Sequence, residues 1–306
     1  MKISFIATIL NEEKNIDKLL HSIVNQSRKA DEIVIVDGGS VDSTRAKIFN
    51  FDNKIKLIVK KGNRAVGRNE AIKNASNEII VCSDAGCVLD KDWTKNIIKP
   101  FENPKVDVVA GYYKGKPNSV FEKCLVPYVL VMPDKINADN FLPATRSMAF
   151  KKSIWGKAGR FSEEYSHNED YVFAQKLKKI KAKIFFQKKA VVYWLPKKNL
   201  GESLVAFYSF SLGDAEAKIF RPKVILLFFR YLIAFTILIV LLITKLVFFL
   251  NLLLILVAIY AFWSIVKNYK YINNWRAFYF LPEIQITSDL AVMLGTIVGL
   301  FSAKNR

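Results

Sequence analysis

The chain has 306 residues, 52% of them apolar and 24% charged, which suits about two domains and excludes a disordered or collagen-like polymer. Lysine and arginine number 46 against 27 aspartate and glutamate; the resulting charge of +19 excludes an acidic carrier and asks for an anionic partner, whether nucleic acid, phosphorylated substrate or acidic lipid. Three cysteines (Cys82, Cys87, Cys124) without a CxxC pair exclude a disulfide scaffold and a structural zinc site, and two histidines exclude a histidine metal cluster.

The opening MKISFIATIL is a short apolar run followed by Asn11-Glu12-Glu13-Lys14, without the cleavage pattern of a secretion signal, so it is read as a first strand of a cytosolic domain. Further apolar, β-branched runs occupy Glu32–Asp37, Ile55–Val59, Glu78–Ser83 and Val106–Gly111, with helical patterns over Asn15–Gln26, Asp42–Asn50, Asn63–Asn74 and Asp92–Phe101. This alternation predicts an α/β domain with a mostly parallel sheet, whose ligands bind at the carboxyl ends of the strands. Those ends read Thr8 to Glu12, Asp37-Gly38-Gly39-Ser40 and Ser83-Asp84-Ala85-Gly86. Gly38 and Gly39 permit a sharp turn and close backbone approach, and Ser40 or Asp42 can cap the next helix, whose N-terminus favours an anion. Alone these ends hint at a nucleotide and equally suit turns and caps; the first strand lacks the GxGxxG of a dehydrogenase.

Further along, a helix is predicted over Asp170–Ile180 and a last strand over Lys183–Trp194. Asn199–Phe220 places Leu200, Leu204, Phe207, Phe210 and Leu212 among polar residues, the pattern of an amphipathic helix that lies on a bilayer surface or packs on a core. Val224–Ile243 and Leu246–Val266 are each about long enough to cross a ~30 Å hydrocarbon layer, and only Thr244-Lys245 separates them, so a transmembrane helical hairpin is expected. A third run, about 286–302, carries Asp289 and suits a span or an interfacial position. Lys218, Arg221 and Lys223 before the hairpin, and Lys267, Lys270 and Arg276 after it, place both its ends in the cytosol by the positive-inside rule. The expected domains are 1–198 (α/β), 199–222 (interfacial linker) and 223–306 (membrane region).

Five blocks occur in order: ATILNEEKNIDKLLHSIVNQ, DEIVIVDGGSVDST, VGRNEAI, VCSDAGCVLDKDW and NEDYVFAQKLKKIKAKI. Together they resemble family 2 glycosyltransferases over about residues 1–195. The resemblance implies a GT-A fold, a nucleotide-sugar donor, a divalent metal (Mg2+ or Mn2+) and inversion at the anomeric carbon. It assigns nucleotide-sugar binding to Thr8, Asn11, Glu12, Asp37, Gly39, Arg68, Asn69, Ser83 and Asp84, with Arg68 suited to the pyrophosphate. Asp84 matches the first aspartate of the family's D-x-D motif and is the expected metal ligand, while Gly86 stands where the second aspartate is usual. Asp170 matches the catalytic base, with Glu169 beside it at the acceptor; a position opening a helix favours its ionised form. Thr145, Arg146 and Ser147 resemble an acceptor-side loop, joined there by Trp194. The Q-x-x-R-W motif of processive members is not found in Phe207–Asp214, which favours transfer of one sugar.

The expected function is therefore transfer of a single sugar to a membrane- or lipid-linked acceptor at the cytoplasmic membrane, in cell-envelope glycan or glycoconjugate synthesis. Polyprenyl-phosphate sugar synthesis is an alternative, and a non-catalytic membrane scaffold is one of another class. No helix-turn-helix, RRM or zinc pattern supports nucleic-acid binding, and a basic membrane-facing surface accounts better for the charge. A glycosidase with paired carboxylates fits the nucleotide-type strand ends poorly.

Overall fold

The computed structural model describes residues 1–51, 54–165 and 167–304. The chain forms two compact units, one of Met1–Lys116 with Leu130–Leu195, the other of Pro117–Val129 with Pro196 onward. The sequence-based boundaries are contiguous; the observed first unit is interrupted by a segment that belongs to the second.

The first unit is built on β1 (Ile3–Ile9), β2 (Glu32–Asp37), β3 (Ile55–Val59), β4 (Ile79–Cys82), β5 (Cys87–Leu89), β6 (Val108–Gly115), β7 (Met148–Lys151) and β8 (Ile184–Trp194). They form one sheet in the order β3-β2-β1-β4-β7-β6-β8-β5. Pairing is parallel from β3 to β4, antiparallel on both sides of β7, parallel between β6 and β8, and antiparallel at β5. The sheet is thus mixed, with its parallel half where the repeating strand–helix pattern predicts it. In the other half most paired strands are not consecutive in the chain (β4 with β7, β6 with β8, β8 with β5), so the alternation does not give their direction.

Helices α1 (Ile16–Val24), α2 (Thr44–Phe51), α3 (Arg64–Asn74), α4 (Trp93–Ile98), α6 (Lys152–Lys157) and α7 (Glu169–Lys179) complete this unit, and α5 (Val120–Val129) belongs to the second. On α1, Ile16, Leu19, Leu20 and Ile23 recur at helical spacing and all are buried. Asn63 caps α3 by accepting a 3.0 Å bond from the Val66 N–H. Helix α3 lies so close to β1 that a Cβ on Gly67 would stand 2.1 Å from Thr8 Oγ1. This approach brings the next residue, Arg68, under the strand ends.

The second unit contains α5, α8 (Leu200–Glu216), α9 (Pro222–Thr244), α10 (Val247–Ile272) and α11 (Ala277–Lys304). Pro222 opens α9 at a first-turn position and Lys245, at φ +54°, ends it. Three helices are long and apolar enough to cross a membrane: Pro222–Thr244, Val247–Ile272 and Ala277–Ser302. The third begins well before the run at 286, because Phe278–Leu281 extends the apolar stretch and Pro282 sits within the helix. Helix α8 packs closely on α11 at two glycines: a Cβ on Gly295 would lie 2.2 Å from Ser211 Oγ, and one on Gly299 2.6 Å from the Leu212 carbonyl. Helix α5 is held in the same unit, where Tyr128 Oη donates to the Leu281 carbonyl at 3.0 Å and Phe121 meets Phe280 edge-on.

Candidate active site

Asp37 ends β2, and Ser83-Asp84 follows β4, two strand spacings away across β1 on the same sheet edge, or about 10 Å. Asp37 is fully buried. Its Oδ1 accepts from the Gly39 and Ser40 N–H groups at 2.8 and 2.7 Å, which needs the φ of +103° at Gly39. Its Oδ2 is buried with no donor. A buried carboxylate oxygen without a partner is costly, and this atom is left with the capacity to accept a hydrogen bond.

Arg68 is 4% exposed and joins two acids. Its Nη2 donates to Asp84 Oδ1 at 2.8 Å and its Nη1 to Glu169 Oε1. Burial opposes the charge of Arg68, but Glu169, Asp84 and Asp170 outweigh it and keep the guanidinium protonated. Burial likewise works against an ionised Asp84, yet Arg68, Arg146 and Arg64 hold its carboxyl below the usual range. Asp170 goes the other way. Burial first, then the charges of Glu169 and Asp84, raise its pKa further than Arg68 and Arg146 lower it. This corrects the expectation from the helix dipole: Asp170 does sit in the first turn of α7, but the neighbouring acids and the loss of water dominate.

Arg146 is half-buried, with its guanidinium 5.7 Å from the Tyr113 ring centre and 5.9 Å from that of Trp194. No described residue accepts a hydrogen bond from it. A cation braced by two rings keeps its donors available to an anion.

Residues 4–144 match the model of the family described as Glycosyl transferase family 2. Those residues, somewhat under half of the chain, carry a domain of this family. The chain is 27% identical over 213 residues to a poly-beta-1,6-N-acetyl-D-glucosamine synthase of Staphylococcus epidermidis, covering 65% of this chain and 51% of that protein. The chain thus spans about half the length of the curated relatives it matches first. Residues 1–349 of S. aureus TarS superpose with a TM-score of 0.51 at 26% identity, covering 70% of this chain and 64% of the other. The mannosyltransferase PcManGT of Pyrobaculum calidifontis, solved with GDP-Man and Mn2+, superposes over 97% of this chain and 87% of its own with a TM-score of 0.60. At 16% identity that likeness shows the fold alone, and the fold is GT-A-like.

Against the family 2 pattern, the structure brings Arg68, Asp84, Glu169 and Asp170 together and sets Asp37 on the same edge. Other expected contacts are spent inside the fold. Asn69 is 2% exposed; its Nδ2 donates to the Phe161 carbonyl and Glu163 Oε1, and its Oδ1 accepts from Trp155 Nε1 and the Phe161 N–H. It anchors the segment leading to α7 and has no donor or acceptor left for a sugar nucleotide. Ser147, expected on the acceptor side, is fully buried, accepts from Trp93 Nε1 and donates to the Ala190 carbonyl. Ser83 Oγ donates to the Arg146 carbonyl at 2.8 Å and so places that arginine. Asn11, at φ +53°, accepts from the Val41 N–H and its own N–H donates to Ser40 Oγ; Glu12 N–H donates to Thr44 Oγ1. These bonds lock the first two strand ends together. Thr8 packs against Gly67.

Tyr113 and Arg64 were missed. Tyr113 was hidden inside a strand run, whereas Arg64 had a readable signal, as the first residue after the Asn63 cap. The described residues contain no group of three side chains able to hold a metal. Asp84 supplies one carboxylate, and a Cβ on Gly86 would meet nothing within 4 Å. That donor set fits a hard cation arriving with a diphosphate, bound through one protein carboxylate, phosphate oxygens and water.

Proposed function

We propose that the chain is an inverting glycosyltransferase that moves a single sugar from a nucleotide-diphosphate donor to a membrane- or lipid-linked acceptor in cell-envelope glycan or glycoconjugate synthesis. The observation that carries this reading is the set Asp84–Arg68–Glu169 with Asp170 beside it: one acid held ionised, one lifted towards a useful basicity, and an arginine fixing the geometry.

In this reading Asp37 Oδ2 accepts a hydrogen bond from the base or ribose of the donor. Arg146 faces the diphosphate or the acceptor. Arg68 is a positioning residue, since both its terminal nitrogens are engaged by carboxylates. Asp170 takes the proton of an acceptor hydroxyl as that oxygen attacks the anomeric carbon; the bond to the diphosphate breaks on the opposite face, and configuration inverts. A Mg2+ or Mn2+ ion at Asp84 would neutralise the departing diphosphate. The three apolar helices and the basic residues at their ends support a multi-pass position in the cytoplasmic membrane, with the sugar-transfer domain in the cytosol.

A thermal-shift screen of nucleotide sugars on the full chain, with and without Mn2+, tests donor binding; a donor at 100 times its Kd adds about 2.7 kcal/mol of apparent stability. Asp170→Asn is expected to keep that shift and lose transfer by roughly 10²–10⁴-fold. Full transfer by D170N removes the base and favours a phosphate acceptor, which needs none. Transfer that survives Asp84→Ala overturns the site. The S. epidermidis relative is named as a polymer synthase, so product length by mass spectrometry decides between one sugar and many.

A further inference from the structure

We propose that the apolar helices carry a binding site for a lipid-borne phosphate, centred on Arg230. The proposal rests on the reading that α9 to α11 span a membrane, and not on the transferase reading. Arg230 lies eight residues beyond Pro222, or about 12 Å along α9 at 1.5 Å per residue. It is the one charged residue of that helix beyond its first turn. An arginine at that depth in hydrocarbon is costly unless its charge is met or it snorkels to the interface.

No described carboxylate forms an ion pair with it, although Asp289 lies within electrostatic reach. Its guanidinium stands 4.6 Å from the Tyr260 ring centre and 5.8 Å from that of Trp263, and those two rings are themselves stacked. Among the described residues none accepts a hydrogen bond from it. The nearby acid, Asp289, is served by neutral donors: Tyr231 Oη at 3.2 Å, Tyr260 Oη at 2.5 Å and Gln285 Nε2 at 2.9 Å. Arg230 therefore presents a planar fork of donors, held in place by rings that leave those donors unspent.

A second cation points to the same place. Lys267 Nζ lies 4.6 Å from the centre of the Trp263 ring, on the neighbouring helix. Lys267 is five residues before the end of α10, and the hairpin turn at Lys245 brings that end beside the start of α9. Two cations on adjacent helices thus flank one indole near one end of the hairpin, the arrangement of a basic pocket for a phosphate headgroup.

The source is either a membrane phospholipid or an isoprenoid phosphate, and one experiment separates them. The full chain is placed in phosphatidylcholine nanodiscs doped with phosphatidylglycerol or with a polyprenyl monophosphate, and lipid retention is read by native mass spectrometry. Phosphate-bearing lipid is expected to be retained over phosphatidylcholine, and Arg230→Gln to weaken it by at least about tenfold. Arg230→Lys keeps the charge with least risk to the fold and is expected to lose severalfold, because the bidentate fork is gone. Retention of the polyprenyl phosphate over phosphatidylglycerol identifies the occupant as the isoprenoid, and equal retention identifies a structural phospholipid; both uphold the site. No preference over phosphatidylcholine, or equal retention by the folded variants, overturns it. No donor is present, so a chain that transfers no sugar can pass this test and an active one can fail it.

Discussion

The carboxyl of Asp170 shares its surroundings with Glu169 and Asp84, and burial adds to their effect, so its folded pKa lies above the ~3.9 of an unfolded aspartate. Between those two values the folded chain binds more protons than the unfolded one, and stability falls as pH rises through the folded pKa. D170N is therefore expected to melt higher than the unaltered chain at pH 7–8, with the gain vanishing below about pH 4. Differential scanning fluorimetry across pH checks this, and a lower melting point at pH 7–8 would contradict it. On the proposed role of Asp170 as base, which works ionised, the transfer rate should rise with pH through a midpoint above the ordinary carboxylate range. Asp84 has the opposite sign: its depressed pKa stabilises the fold above about pH 4, and that stability is lost as pH falls through the folded value. At Gly86 there is open space, so Gly86→Asp should fold normally and supply a second oxygen ligand. The Mn2+ concentration needed for half of the donor-induced thermal shift should then drop severalfold; an unchanged value would mean that this position does not face the cation.

Between helix and strand, the contact of Gly67 with Thr8 sets where Arg68 stands. Gly67→Ala is expected to cost ~1–3 kcal/mol by overpacking and to lower transfer, and Thr8→Ala in the same chain to recover part of both. Denaturant melts of the single and double variants measure it. The α8–α11 seam is a stricter case, since the atoms nearest a new Cβ at Gly295 and Gly299 include backbone; Gly299→Leu should destabilise the second unit, seen as loss of monodisperse protein in detergent. What was readable follows from these elements. Runs such as Glu32–Asp37 announce a strand by composition and their end by Asp-Gly-Gly, so the parallel half of the sheet and its ligand edge could be read. The antiparallel course of β7 could not, because a four-residue strand has no partner written in its own sequence. Nor could polarity alone show that Asn69 faces Trp155, or that Arg68 is consumed by Glu169 and Asp84.

At the scale of the whole chain, charge and apolarity are divided unequally along the sequence, and the three apolar helices should keep the protein in the pellet after alkaline washing of membranes, released only by detergent. Release by salt or carbonate would remove the spanning assignment and leave an electrostatically attached protein. The backbone passes between the two units after Lys116, after Val129 and after Leu195. A chain cut at Leu195 would thus still carry α5, stripped of Phe280, Leu281 and the rest of its helical company, with Phe121 and Tyr128 turned loose in water. Soluble enzymology calls for a short polar splice from Lys116 to Leu130, and a plain C-terminal deletion should give inclusion bodies.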